Sequence, residues 1–407
     1  MNKLLCALIV SAVGLFLITS HASAAGFALP EQSASAMGMS SAFVGQADDA
    51  SAVWYNPAGM TQLDGTRFMG GFVAIYPTLT HEVPGGTTDV AERRWHYPIF
   101  LYATHQLNDR ISLGLGINNP FGLSTNWSPT STAREEATKS EILATEINPN
   151  IAFKLTDKLS IAAGVAYVRL DAVLDNIFLG QDFRLSGAGY GWGGNLAALY
   201  KPTDKLNLGL SYHSRVKIDI DGTAQMNAIA QTNPASTTIT LPDLLQFGTS
   251  YKATDRLTLN ADIGYTWWST YDTLTVKSAT FIPLGGGDTI TQQKQWKDVW
   301  NLRIGGQYKL TDEWKLRAGL QYDQTPVPEH YFETRVPDSD RVGISIGAGY
   351  SLGNLTVDAS YLYLKFLTRH IDDSMQDDGA TSTNTNALNG AYKSDAHVIA
   401  LGIGYKF

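Results

Sequence analysis

The chain has 407 residues, with 30 basic and 38 acidic side chains and a formal net charge of −8, and no basic stretch able to neutralise phosphates, which argues against a nucleic-acid partner. Its single cysteine, Cys6, lies in the N-terminal apolar run, which excludes disulfides and cysteine-based metal centres from the rest of the chain. Beyond Ala25 no apolar run reaches the length of a spanning helix, so a membrane location would require strands.

Residues 1–24 read as a cleaved signal peptide: Lys3 precedes the apolar run Leu4–Ile18, and Ala22-Ser23-Ala24 forms a cleavage signal. Loss of Lys3 with this leader takes the net charge to −9, 29 basic against 38 acidic residues. Residues 25–66 do not alternate. Ser33 to Ser41 are almost wholly small residues with Met37 and Met39, whereas Phe27, Phe43, Val53, Trp54, Tyr55 and Met60 oppose a solvated tail. The segment is expected to be a plug, or hatch, packed inside a pore.

From residue 67 to 407 a repeated unit organises the chain. Phe153-Lys154-Leu155-Thr156-Asp157-Lys158-Leu159 returns as Tyr200 to Leu206, Tyr251 to Leu257 and Tyr308 to Trp314, with weaker copies at His105 to Ile111 and Tyr350 to Leu355. After each polar turn the chain alternates with period two. Leu257, Leu259, Ala261, Ile263 and Tyr265 share one face, and Thr258, Asn260, Asp262, Gly264 and Thr266 the other. Runs of about ten residues, aromatics near their ends and tight turns at one end only are the pattern of a transmembrane β-barrel. The long polar connections expected at the other end include Asp221 to Thr238 and Asp372 to Gly390.

The fold class is therefore all-β, an antiparallel transmembrane barrel of about fourteen strands with an N-terminal plug in its lumen. The first strand is expected near Arg67, the second near Trp95, the sixth near Ala188, the eighth near Thr237 and the last from Ala391. A terminal Phe407 on that last strand resembles the signal read by the barrel assembly machinery. Within the third strand, Asn118-Asn119-Pro120-Phe121-Gly122 has two readings: a kink in the ladder, or the start of an external loop.

Three groups of residues carry a family resemblance: Gly26-Phe27-Ala28-Leu29-Pro30-Glu31-Gln32-Ser33, Ala47-Asp48-Asp49-Ala50-Ser51, and Tyr55-Asn56-Pro57-Ala58-Gly59-Met60. Leu241-Pro242-Asp243, Lys297-Asp298, Asp323 to Pro328 and Val336 to Arg341 extend it along the whole mature chain. The sequence resembles the FadL-type outer-membrane transporters, which include importers of long-chain fatty acids and of aromatic hydrocarbons. The resemblance implies a Gram-negative outer-membrane location, a hydrophobic small-molecule substrate, contact with outer-membrane lipids, a monomer and no cofactor. It also implies a hatch that shifts, and lateral exit at a kinked third strand, favouring the kink at Asn118, Asn119, Pro120 and Gly122.

By position, the hatch motif is Asn56, Pro57 and Ala58, and Asp323 is the lumenal acid near the pocket. Phe27 joins the pocket candidates. Where fatty-acid members place cations for the carboxylate, this chain has Asn176 and Gln292, so Lys294 and Arg169 become the candidate partners, with Arg303 and Arg317 behind them. Long-chain fatty acids are the first substrate reading and neutral aromatic or alkane hydrocarbons the second.

Other functions are less well supported. An outer-membrane lipase would need a nucleophile, a base and an orienting group, yet the eight His of the sequence are scattered. Neither metal-ligand spacing nor a phosphate-binding loop occurs, so transport is expected to be passive. A general diffusion porin would keep an open, charged lumen instead of a plug.

Overall fold

A computed structural model describes residues 26–178, 180–226, 231–284, 287–374 and 387–407; the expected signal peptide lies outside the described residues. The wall begins with β1 (Thr66–Glu82), a short β2 (Thr88–Val90), β3 (Ile99–Asn108), β4 (Ile111–Asn126) and β5 (Lys139–Lys154). It continues through β6 (Leu159–Phe178), β7 (Gln181–Thr203), β8 (Leu206–His213), β9 (Val216–Met226), β10 (Gln231–Leu241) and β11 (Leu244–Lys252). Then follow β12 (Leu257–Thr266), β13 (Thr273–Ser278), β14 (Thr289–Gln293), β15 (Val299–Lys309) and β16 (Trp314–Asp323). The last are β17 (Arg341–Leu352), β18 (Leu355–Phe366), a short β19 (Arg369–Ile371) and β20 (Gly390–Lys406).

Four pairs of segments, β8 with β9, β10 with β11, β12 with β13 and β14 with β15, each form one stave, and the result is a closed antiparallel barrel of fourteen staves. Closure runs from Arg67↔Lys406 to Glu82↔Ala391 between β1 and β20. A closed ladder leaves no edge, as a sheet in hydrocarbon requires.

The repeated turn has a local cause. In the four full copies a Thr side chain folds back: Thr254 Oγ1, for example, accepts from Arg256 N at 3.2 Å and Leu257 N at 3.0 Å, and Thr311 Oγ1 accepts from Glu313 N and Trp314 N at 3.2 and 3.0 Å. Asn108 does the same for Arg110 N and Ile111 N. These side chains supply the acceptors a two-strand connection would otherwise lack.

On β12, Leu259, Ala261 and Ile263 point outward and are exposed, while Asn260 and Asp262 are buried inside. Higher up the polarity reverses. On β9 the outward residues are Lys217, Asp219 and Asp221, and the inward ones Val216, Ile218 and Ile220; on β13, Thr275 and Lys277 point out and Leu274 and Val276 in. The lower wall thus faces lipid around a polar lumen, and the upper wall faces water around an apolar one.

The switch occurs where staves break. Asp243, between β10 and β11, accepts from Tyr212 Oη at 2.6 Å, from Arg215 N at 3.0 Å and from Arg215 Nε at 2.7 Å, clamping two breaks together. Asp298 likewise accepts from Ser269 N at 2.9 Å, and Asp340 from Tyr322 Oη at 2.7 Å. A tyrosine closing each lipid-facing run suits the membrane interface.

Expectations about one loop and three strand starts require correction. The span Asp221 to Thr238 is mostly ladder, from Asp221↔Ser236 to Met226↔Gln231, because a strand with an apolar inner face and a polar outer one stands in water above the bilayer. For the same reason the sixth and eighth staves begin at Gln181 and Gln231, earlier than Ala188 and Thr237. The second begins at Ile99, after Trp95. Of the expected loop Asp372 to Gly390, residues 375–386 lie outside the described residues.

Residues 26–63 fill the lumen as short helical turns, Ala34–Met37, Ala52–Tyr55 and Pro57–Gln62, joined by irregular chain. The wall accommodates them with glycine. Gly305 and Gly319 are cross-strand partners, and a Cβ on either would come within 2.6 Å of hatch atoms, Met39 Cβ and Ser40 N respectively. Ser40 and Ser41 hold left-handed backbone at φ 52 and 61, and Ser40 N donates to Ser345 Oγ at 2.8 Å. Such strained residues persist only where the surroundings fix them. Gly319→Val is expected to weaken hatch docking by about 1–3 kcal/mol while the barrel still assembles. Protease cleavage of the N-terminal segment should accelerate, with the heat-modifiable gel shift of the folded barrel retained.

Candidate functional site

Proline at 120 has no N–H to give a ladder. The register between β4 and β5 accordingly shifts between Asn118 and Phe121, and the strand then runs on to Asn126: the sequence at 118–122 is a kink within the wall, not the start of a loop.

On its other side β4 parts from β3. The two are paired from Asn108↔Ile111 to Phe100↔Asn118. Past that point the chain leading into β3 bonds to β1 instead, through Ile75↔His96, and among the described residues the next backbone contact between the two edges is Glu92 N–H to Asn126 O at 2.7 Å. A slit therefore opens in the wall between residues 93–98 and residues 119–125.

The freed groups of β4 are satisfied from within. Leu29 N donates to Pro120 O at 2.8 Å, and Gly122 N to Phe27 O at 2.9 Å, so hatch residues 27–29 lie along the kink as a short extra strand. Gln32 Nε2 donates to Asn119 O at 2.9 Å. Asn119 Oδ1 accepts from Ile99 N at 3.0 Å, and its Nδ2 donates to Ala144 O and Thr145 Oγ1 at 3.1 and 3.0 Å, spanning three strands.

Behind the slit lies a cavity of about 920 Å³. Phe27, Leu29, Leu123, Val336, Leu364 and Phe366 give it an apolar lining, Glu31, Asp338 and Arg341 lie on its inner side, and Ser124 and Glu141 border the slit. Size and composition suit a lipid-like ligand. Phe27 also sits in an aromatic box, 4.7 Å from Trp268, 5.7 Å from Trp296 and 6.0 Å from Phe121 by ring centroids.

Asp323 and Arg341 beside the cavity are matched internally. Asp323 is fully buried between Arg303 at 2.7 Å and Arg341 at 3.2 Å. Arg341 also stands over the Phe366 ring at 5.7 Å. Glu31, on the hatch, is buried with one carboxylate oxygen unpartnered, and burial pushes its carboxyl up despite Arg341 and Arg303 nearby.

The hatch motif is wholly buried. Asn56 Nδ2 donates to Val44 O at 2.9 Å and to Ala198 O of β7 at 3.1 Å, and its Oδ1 accepts from Ala58 N, so one amide both shapes the turn begun by Pro57 and ties it to the wall. Asp262 of β12, three staves along from β7, accepts from Phe43 N and Val44 N at 2.7 and 2.9 Å.

Two expected carboxylate partners fall elsewhere. Arg169, expected to face inward, projects from the outer surface with a 59 % exposed side chain and pairs with Asp171, because its parity on β6 is that of Ile161 and Val165. Lys294 is fully buried, pairs with Glu333 at 2.5 Å and also donates to Gln292 Oε1, away from the cavity lining. Asn176 and Gln292 do not line this cavity either. Arg341 is the cation at the cavity; its place after the Val336 to Asp340 motif was visible in the sequence, but nothing there gave its direction.

A closed barrel with a lumenal plug, an apolar inner cavity and a slit toward lipid defines a class: outer-membrane channels for hydrophobic solutes. Residues 15–407 match the family model described as outer membrane protein transport protein (OMPP1/FadL/TodX), and the chain belongs to this family of transporters. It is 29 % identical to outer membrane protein P1 of Haemophilus influenzae, over 97 % of this chain and 98 % of that one. The long-chain fatty acid transport protein of Salmonella typhi is 27 % identical, over 87 % and 90 %.

Among solved structures, a Pseudomonas aeruginosa FadL homologue superposes with a TM-score of 0.82 at 23 % identity, covering 94 % of this chain and all of that one. The Ralstonia pickettii toluene transporter TbuX gives 0.70 at 17 %, covering 92 % and 98 %. The protein is thus an outer-membrane β-barrel of a Gram-negative type.

The loop between β16 and β17 docks the start of the hatch: Asp338 Oδ2 accepts from Gly26 N at 2.9 Å and from Thr325 Oγ1 at 2.6 Å. Burial pushes the Asp338 carboxyl up to about 6 and that of Asp340 up to about 7. Between the ordinary carboxyl range near 4 and these values the docked loop holds protons that a released loop has already lost, so docking weakens as pH rises from about 4 through 6 to 7. Proteolysis of the 324–340 loop is expected to be slower at pH 5 than at pH 8. Asp338→Asn with Asp340→Asn should flatten that difference.

Proposed function

We propose that this barrel takes up long-chain fatty acids by passive diffusion: the substrate enters the apolar upper lumen, passes to the cavity as hatch residues 27–32 shift, and leaves sideways through the slit. The carrying observation is the apolar cavity that continues through the wall beside the kink at Asn118, Asn119, Pro120 and Gly122. Relatives named for long-chain fatty acid transport support the substrate class.

We read the chain as a channel and not an enzyme, working as a monomer in contact with outer-membrane lipids. Residues 1–24 are read as a cleaved leader, residues 25–66 as the hatch and residues 67–407 as the barrel. Phe407, exposed at the end of the last strand and packed edge-on against Phe68, would present the assembly signal. Asn56, Pro57 and Ala58 would hold the hatch in one bend, and Phe27 would be displaced from its aromatic box as substrate arrives.

Expression in cells lacking their own transporter is expected to raise oleate uptake several-fold over empty vector, and Leu123→Trp, which fills the slit, to return it toward background with the barrel still assembled. Toluene entry without oleate uptake would instead establish the hydrocarbon reading, which the relation to toluene transporters keeps in view.

A further inference from the structure

The outer lips of the slit carry an ion pair that barrel closure does not require. Arg94 stands in the chain leading to β3, and its guanidinium crosses to Glu141 of β5, with a second contact to Ser124 Oγ of β4 at 3.3 Å. Lys139 Nζ holds the other oxygen of Glu141 at 3.0 Å. The side chains of Arg94 and Glu141 are 36 % and 34 % exposed, so both are within reach of a molecule in the slit.

The position along the wall matters. On β5, Ile147 and Leu143 point outward into lipid, and Glu141 and Lys139 follow on the same face. On the opposite lip Trp95 and Tyr97 are outward and exposed, packed on Tyr76 and Phe72. Farther round, Asp175 opposite Lys139 pairs with Arg184. Glu92, Arg93 and His96 complete the charged and titratable groups on the Arg94 lip. The pair therefore lies where the lipid-facing surface gives way to charge.

A partly exposed pair contributes little as a staple. A carboxylate is nevertheless very costly to carry into hydrocarbon, so an amphiphile leaving through the slit sends its tail into the leaflet and keeps its head at the interface. There it meets a guanidinium whose planar fork fits a carboxylate and whose present partner is one.

We propose that Arg94 is the specificity-determining residue of the lateral exit, exchanging Glu141 for the carboxylate of a departing fatty acid while the tail enters the outer leaflet. This rests on the fatty-acid reading. Lys139 stays with Glu141 during the exchange, so that carboxylate is not left unpaired. A neutral hydrocarbon has no use for Arg94.

The test is concentration-dependent uptake of oleate and of toluene in cells lacking their own transporter, with assembly checked by the heat-modifiable gel shift. Arg94→Ala is expected to raise the half-saturating oleate concentration about tenfold, the loss of one charge-assisted contact, and to leave toluene entry unchanged. Arg94→Lys should retain most of the oleate affinity, and Glu141→Gln, which removes the competing anion, should lower the half-saturating concentration. Equal loss for both substrates would make Arg94 a structural staple, and unchanged oleate kinetics in Arg94→Ala and Glu141→Gln would remove it from transport; either result overturns the proposal and leaves the fatty-acid reading standing. No oleate uptake by the unmodified protein overturns the fatty-acid reading and the proposal together. Should Arg94→Ala fail to assemble, Glu141→Gln decides alone.

Discussion

Hydrocarbon offers a backbone nothing to bond with, and that scarcity governs this molecule. Fourteen staves close on themselves through β1 and β20, and every interruption in the ladder needs another partner. At the kink in β4 those partners are Phe27 and Leu29 of the hatch and the side chain of Asn119. The slit and the hatch are therefore one hydrogen-bonded unit. Moving residues 27–29 strips Pro120 O and Gly122 N of their partners, a cost of about 1–3 kcal/mol per buried group unless water or substrate replaces them. Hatch movement and exposure of the slit are coupled through these two bonds.

A second consequence follows from the change of solvent along each stave. Period-two alternation satisfies lipid outside and polar groups inside only up to the interface; above it the same alternation must run in opposite phase. The breaks at Ser214-Arg215, Pro242-Asp243, residues 267–272 and residues 294–298 change that phase, and Asp243 and Asp298 clamp them to neighbouring tyrosine or backbone groups. The residues at which the chain resembles its family, Leu241-Pro242-Asp243 and Lys297-Asp298 among them, are thus the hinges between a lipid-clad, polar-cored lower barrel and a water-clad, apolar-cored upper one. The apolar upper lumen holds the substrate path above the hatch.

This division explains what the sequence disclosed. The repeated Thr-Asp turns and the runs that follow them are local physics, so the strand count and the β12 faces are legible in the sequence. The β9 and β10 segments were not, because apolar-in and polar-out strands bounded by Asp and Gly look like loops when lipid is assumed outside. The long β7 was obscured by Gly187, Gly189, Gly191 and Gly193, whose missing side chains make room for Val216, Ile218 and Ile220 of β9 and erase the alternation. Side-chain direction near a functional site was the hardest to read: one residue of phase separates an inward Arg169 from the outward one observed. Pairing across more than thirty residues, as between Lys294 and Glu333, leaves no periodic trace.

The distribution of charge bears on how an uncoupled channel can bind an acid and still let it go. Inside the wall the cations are already committed: Arg303 and Arg341 to Asp323, Lys294 to Glu333, and Arg317 to Asp358 at 2.5 Å. Removing one partner of such a buried pair costs about 3–5 kcal/mol, because the other charge is left unpaired away from water. A substrate head that displaced Asp323 from Arg341 would impose that cost, so the cavity acts on the tail through its apolar lining and leaves the head unanchored. At the slit the cost falls, since Arg94 and Glu141 are each about one-third exposed and Lys139 remains with the released carboxylate. Exchange of anions is less costly there than at the buried pairs, which accords with the proposal that head groups are discriminated at the exit, where weak and reversible contact favours release.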